Sequence, residues 1–137
     1  MSSLAAKRSE DEEICQDASK FMALYNDLAD IRRSRIGLIY DADDATLLWN
    51  GNVIRGTQEI TGFWNALPTT QHELSYMDAH LMDPSSASKN LVVQVMGTVS
   101  LGGISRAYNQ VLILVSLAGN YKIKSDCMRL LNKIVVL

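Results

Sequence analysis

The stretch Tyr108-Asn109-Gln110-Val111-Leu112-Ile113-Leu114-Val115 constrains this chain more than any other. Its β-branched and aromatic residues read as a strand. Alternation puts Tyr108, Gln110, Leu112 and Leu114 on one face and Asn109, Val111, Ile113 and Val115 on the other. A sheet with one wet face alternates apolar with polar. Here both faces are mostly apolar, so both need a cover. Two companion strands flank it at 91–99 and 121–130, separated from it by turns at Gly102-Gly103 and Gly119-Asn120. The chain's own helices supply one cover, and a second protein is expected to supply the other.

At 137 residues, 47% hydrophobic and 20% charged, the chain has the makings of one globular domain with a core of its own. A net charge of -2 argues against a main role in gripping phosphate backbones, and no direct nucleic-acid partner is expected. No apolar run approaches the roughly 18 residues of a membrane span. The start, polar and then acidic, does not read as a signal peptide. Cys15 and Cys127 lie far apart with no CxxC, and read as two reduced thiols of a cytosolic or nuclear protein.

Ser9-Glu10-Asp11-Glu12 has the form of a capping box, and Ile14, Ala18, Phe21, Met22, Tyr25, Leu28 and Ala29 follow at helical spacing. A long helix over about 11–28 is predicted, then a shorter one over 31–40. Arg32, Arg33 and Arg35 on the second read as a solvated face before a basic patch. After an acidic turn at 41–45, Thr46-Leu47-Leu48-Trp49 and Asn52-Val53-Ile54 flank Asn50-Gly51, a type I′ hairpin signal. Thr57 can cap a third helix carrying Ile60, Phe63, Trp64 and Leu67, which Pro68 ends. Residues 71–82 alternate as a long strand, and 83–90 form a loop. The four long strands should make an antiparallel meander, giving an α+β domain in which a curved sheet wraps around helices. The expected boundaries are a flexible N-terminus at 1–8, the domain at 9–131, and a tail or strand extension at 132–137.

Two constellations could carry chemistry. His72, Asp78 and His80 would share one strand face, where a metal or an acid–base pair is conceivable, although wet strand residues explain them more simply. Asp126 would share a face with Lys122, Lys124, Met128 and Leu130. Pointed into a closed interior it could become a general base, but a carboxylate satisfied by hydrogen bonds is the preferred reading. Neither a P-loop, GxSxG, HExxH, GxGxxG nor paired CxxC occurs.

Asp30-Ile31-Arg32-Arg33, Leu47-Leu48-Trp49-Asn50-Gly51-Asn52, Phe63-Trp64-Asn65-Ala66-Leu67-Pro68, Tyr108-Asn109-Gln110 and Lys122-Ile123-Lys124-Ser125-Asp126-Cys127-Met128-Arg129 together carry a resemblance. The chain resembles the nuclear transport factor 2-related export proteins, small subunits that accompany the large mRNA export receptor, over roughly 14–130. The resemblance implies a cone-like α+β fold of the nuclear transport factor 2 type, three helices on a curved, mostly antiparallel sheet. It implies no enzyme activity and no cofactor or metal. Its sheet would pair with the nuclear transport factor 2-like domain of the receptor, and the heterodimer would engage phenylalanine-glycine repeats of nuclear pore proteins mainly through the receptor. Such a protein would shuttle among nucleus, pore and cytoplasm. The family arginine that meets a partner carboxylate falls on Arg129.

The departures narrow this. The superfamily's import factor holds the GTPase Ran through an acidic pair, whereas 101–108 contains no acid and only Arg106, which counts against Ran binding. Leu112, Met128 and Leu130 replace family aromatics, which suggests a repacked core. Reading face by face, Tyr108, Gln110, Leu112, Leu114, Val93 and Val95 belong to the domain's core. The partner face then carries Gln94, Met96, Thr98, Asn109, Val111, Ile113, Ser125, Cys127 and Arg129. The rivals are a homodimeric import-type carrier, a cone-fold isomerase or dehydratase using Asp126 or Asp78, and an adaptor for another partner.

Overall fold

A computed structural model describes residues 4–131; the 132–137 tail and its expected strand extension lie outside the described residues. Helix α1 spans Leu4–Ile31 and buries Ile14, Ala18, Phe21, Met22, Tyr25, Leu28 and Ala29, the stripe its spacing predicts. It begins well ahead of the Ser9 box, so Ser9 is an interior helical residue and not a cap. Leu4-Ala5-Ala6-Lys7-Arg8 explains this, since all are strong helix formers. The predicted second helix is a 3-10 helix over Arg33–Ile39, with Ile31 ending α1 instead. It packs so closely on α2 (Thr57–Ala66) that a Cβ on Gly37 would stand 2.4 Å from Thr61 Oγ1. The N-cap of α2 is Gly56 with no side-chain cap, and Thr57 opens the helix rather than capping it.

Six strands form one open mixed sheet in the order β2-β1-β6-β5-β4-β3. They are β1 Thr46–Trp49, β2 Asn52–Arg55, β3 Thr70–Leu81, β4 Leu91–Leu101, β5 Ile104–Leu117 and β6 Asn120–Leu130. The last four make the antiparallel meander that short connections require, while β1 joins β6 in parallel. Asn50 and Gly51 both have positive φ, as a type I′ turn needs. The last hairpin turns on Ala118-Gly119, one position earlier than read from the sequence, because β6 already starts at Asn120.

Two bulges reset the alternation. The β3 register slips between Leu74 and Tyr76, and the β5–β6 register slips where Ile113 faces Ser125 but Leu114 faces Ile123. Ile123 therefore turns into the core while Lys122 and Lys124 stay out of it, which corrects the face assigned to those lysines. On the inner face, cross-strand rows such as Ala79–Val93–Leu112–Asp126–Leu47 lie under α1, the 3-10 helix and α2. Trp64 is fully buried at the centre, edge-on to Tyr25 at 6.0 Å and to Trp49 at 5.4 Å between ring centroids. Truncating such a side chain costs about 3–5 kcal/mol.

Candidate functional site

Two features distinguish this fold from a bare apolar sandwich: a polar network inside it and an uncovered sheet face outside.

Inside, Asp126 is fully buried on β6. Tyr25 on α1 and Tyr40 after the 3-10 helix each donate to its Oδ2 at 2.7 Å, and Gln110 Nε2 donates to Oδ1 at 2.8 Å. Burial pushes the Asp126 carboxyl above its ordinary range, and the Gln110, Tyr40 and Tyr25 donors offset part of that rise. Burial and the neighbouring carboxylate hold the Tyr25 and Tyr40 phenols well above their usual range, so both remain donors. Both carboxylate oxygens are thus engaged, Oδ2 from elements 101 and 86 positions away and Oδ1 from the neighbouring strand β5. This arrangement satisfies a buried acid and ties helices to sheet.

The proposed His72, Asp78, His80 constellation does not form. The β3 bulge lies between His72 and Asp78, so the His72 side chain is buried while Asp78 and His80 are exposed. His72 instead meets Asp30 at the end of α1, with 2.5 Å between Nδ1 and Oδ1 and its backbone N–H 2.8 Å from Oδ2. Desolvation alone would raise the Asp30 carboxyl, but hydrogen bonds from the His72 side chain and backbone, the His72 charge and Thr70 bring it below its usual range. The pair borders a cleft of about 620 Å³ that also includes Thr69 and Ser100. Among the described residues no three His, Cys, Asp or Glu side chains gather as a metal site.

Arg33 is not part of the solvated face that its sequence neighbours suggest. Its guanidinium donates to the carbonyls of Ala29, Leu67 and Pro68 at 3.1, 2.6 and 2.8 Å and to Thr70 Oγ1 at 3.2 Å. One side chain thereby satisfies the C-terminal carbonyls of α1 and the residues that end α2. Arg32 is a surface pair with Asp27, and Arg35 is exposed. A fork-shaped donor with several unpaired carbonyls nearby is invisible to a one-dimensional reading.

Outside, the sheet carries three adjoining rows: Tyr76–Met96–Asn109–Arg129, Asp78–Gln94–Val111–Cys127–Leu48, and His80–Val92–Ile113–Ser125–Thr46. Thr98 extends the face beside Ala107. All nine residues assigned to a partner face from the sequence lie here, and the six assigned to the core, Tyr108 through Val95, are buried on the opposite face. Tyr76 is 56% exposed, Met96 46% and Val111 40%, so large apolar groups stand in solvent from the edge strand β3 inward to β5. Ion pairs join Arg32 to Asp27 and His72 to Asp30, and Arg129 is in neither.

Residues 18–130 match the model of the nuclear transport factor 2 (NTF2) domain. An NTF2-related export protein of Caenorhabditis elegans is 40% identical over 124 residues, spanning 88% of this chain and 90% of that protein. Nuclear transport factor 2 of Cryptosporidium parvum has the same fold, with a TM-score of 0.76 and 23% identity over 86% of this chain and 94% of that one. A chain of the C. albicans Mtr2-Mex67 M domain complex matches with a TM-score of 0.72 and 15% identity, covering 86% of this chain and 96% of its own.

Proposed function

This chain belongs to the nuclear transport factor 2 domain family, among the NTF2-related export proteins, and on that premise we propose that it is a non-enzymatic cofactor of nuclear mRNA export. It pairs through its outer sheet face with the nuclear transport factor 2-like domain of the large export receptor. The observation that carries the reading is that face itself: exposed Met96 and Val111 interleaved with the amides of Gln94 and Asn109, and beside them Arg129, which stands in neither ion pair. Aromatic residues, Met and Arg are the types enriched where proteins meet. A stable interface buries about 800 Å² per partner, and a face crossing five strands can supply that area.

In this reading Arg129 meets an Asp or Glu of the receptor, because an arginine enclosed among apolar groups is costly to leave unpaired. Contact with phenylalanine-glycine repeats follows indirectly, through the receptor, as does shuttling through the pore. The buried network around Asp126 supports a structural role for that carboxylate. Fold alone decides no activity.

A homodimeric carrier would use the same face. Light scattering separates the two: the chain alone should have the mass of a monomer, and with the receptor the mass of a one-to-one heterodimer. A stable homodimer that the receptor does not displace contradicts the proposal.

A further inference from the structure

Between β4 and β5 the outer face is not flat. Tyr76, Gln94, Met96, Asn109 and Val111 rim a hollow of about 230 Å³ floored by the β4–β5 ladder. Its walls are of two kinds. Tyr76 and Met96, directly opposite across β3 and β4, and Val111 offer exposed apolar surface. Gln94 and Asn109 each contribute a primary amide, with donors and an acceptor. Arg129 stands directly opposite Asn109, one strand away, about 4.8 Å at the usual interstrand spacing.

We propose that this hollow seats one tyrosine or tryptophan of the export receptor's sheet, with the receptor acid that meets Arg129 beside it. This rests on the reading that the receptor's sheet docks here. The volume accommodates a single large side chain and no more. A thioether and a valine favour an aromatic body, and sulfur against a ring edge adds to that contact. A plain aliphatic occupant would strip water from two amides and give them nothing in return. A charged occupant would lie among apolar walls. A phenol or an indole N–H meets both demands, apolar in the body and polar at one end. Arg129 then sets register, since an aromatic and an acid must arrive together at that spacing.

The test uses full-length chain and full-length receptor, co-expressed, with affinity measured for wild type, Met96→Ala and Val111→Trp. The first removes a wall of the hollow and the second fills it. Each should weaken the complex by about 30-fold or more, with the thermal midpoint of the isolated chain unchanged. In parallel, p-benzoyl-phenylalanine in place of Tyr76 is photo-crosslinked in the complex. The crosslink should map within a few residues of a receptor Tyr or Trp. A crosslink to a segment lacking such an aromatic overturns this inference alone, and a complex that forms normally with both variants overturns it together with docking on this face. Failure of the wild-type chain to form any complex overturns it together with the docking it rests on.

Discussion

Tyr25 of α1 and Asp126 of β6 meet through a 2.7 Å hydrogen bond across 101 positions of sequence. Because Tyr40 donates to the same oxygen and Gln110 to the other, one carboxylate joins α1, the segment after the 3-10 helix, and β5 to β6. Tyr25→Phe keeps the ring beside Trp64 and removes only the donor. It should cost about 1–3 kcal/mol, the penalty for a buried acceptor losing a partner. Urea unfolding measures it, and the cost should shrink when Asp126→Asn is already present, because the two groups act as a unit.

The same carboxylate predicts a pH dependence. Its folded value lies above that of the unfolded chain, chiefly through burial. Its contribution is therefore complete below the ordinary carboxylate range and is lost as pH rises through the raised value. Asp126→Asn has no such loss, so its stability relative to wild type should climb with pH across that window. Asp30 has the opposite sign. His72 and Thr70 outweigh its desolvation and lower it, so its contribution exists above the ordinary range and is lost as pH falls through the lowered value. Asp30→Asn should cost most near neutral pH and progressively less in acid. Denaturant midpoints of both variants across pH read the two slopes.

Gly97 of β4 pairs with Leu74 of β3, next to the Leu74/Tyr76 slip. A Cβ there would stand 2.2 Å from the Glu73 carbonyl oxygen and 3.1 Å from Tyr108 Cε1. Neither backbone nor a fully buried ring can give way cheaply. Gly97→Ala should destabilise by about 1–3 kcal/mol, as overpacking does, read as a lower thermal midpoint.

Arg33→Lys tests the carbonyl clamp. Lysine keeps the charge but cannot reach four acceptors at once from a planar fork. The loss should be about 1.5–3 kcal/mol, on the scale of a hydrogen bond to a charged group, in chemical denaturation, with Arg35→Lys as the exposed control that changes little.

Much of this was readable from residue order. Strand identity, the type I′ hairpin at Asn50-Gly51 and the core stripe of α1 follow from local periodicity and turn chemistry, which act over a few residues. The division of β4, β5 and most of β6 into inner and outer faces was readable too, because alternation runs unbroken there. It failed at His72 and at Lys122 and Lys124, on the far sides of the two bulges, since one extra residue inverts every assignment beyond it. Arg33 and the Asp30–His72 pair were missed for a different reason. Apart from Ala29, their partners lie 34 to 42 positions away and become neighbours only when β3 folds back beneath α1. The hollow on the outer face needs three strands in register, which no single segment encodes.

The outer face as a receptor-binding surface is the centre of this account, and Arg129→Glu addresses it most directly. The substitution lies on an exposed position of β6, so the isolated chain should unfold at the wild-type temperature. Co-purification with the full-length export receptor should be lost, because a second acid would then confront the receptor's own. Undiminished co-purification of a folded Arg129→Glu chain would contradict the account.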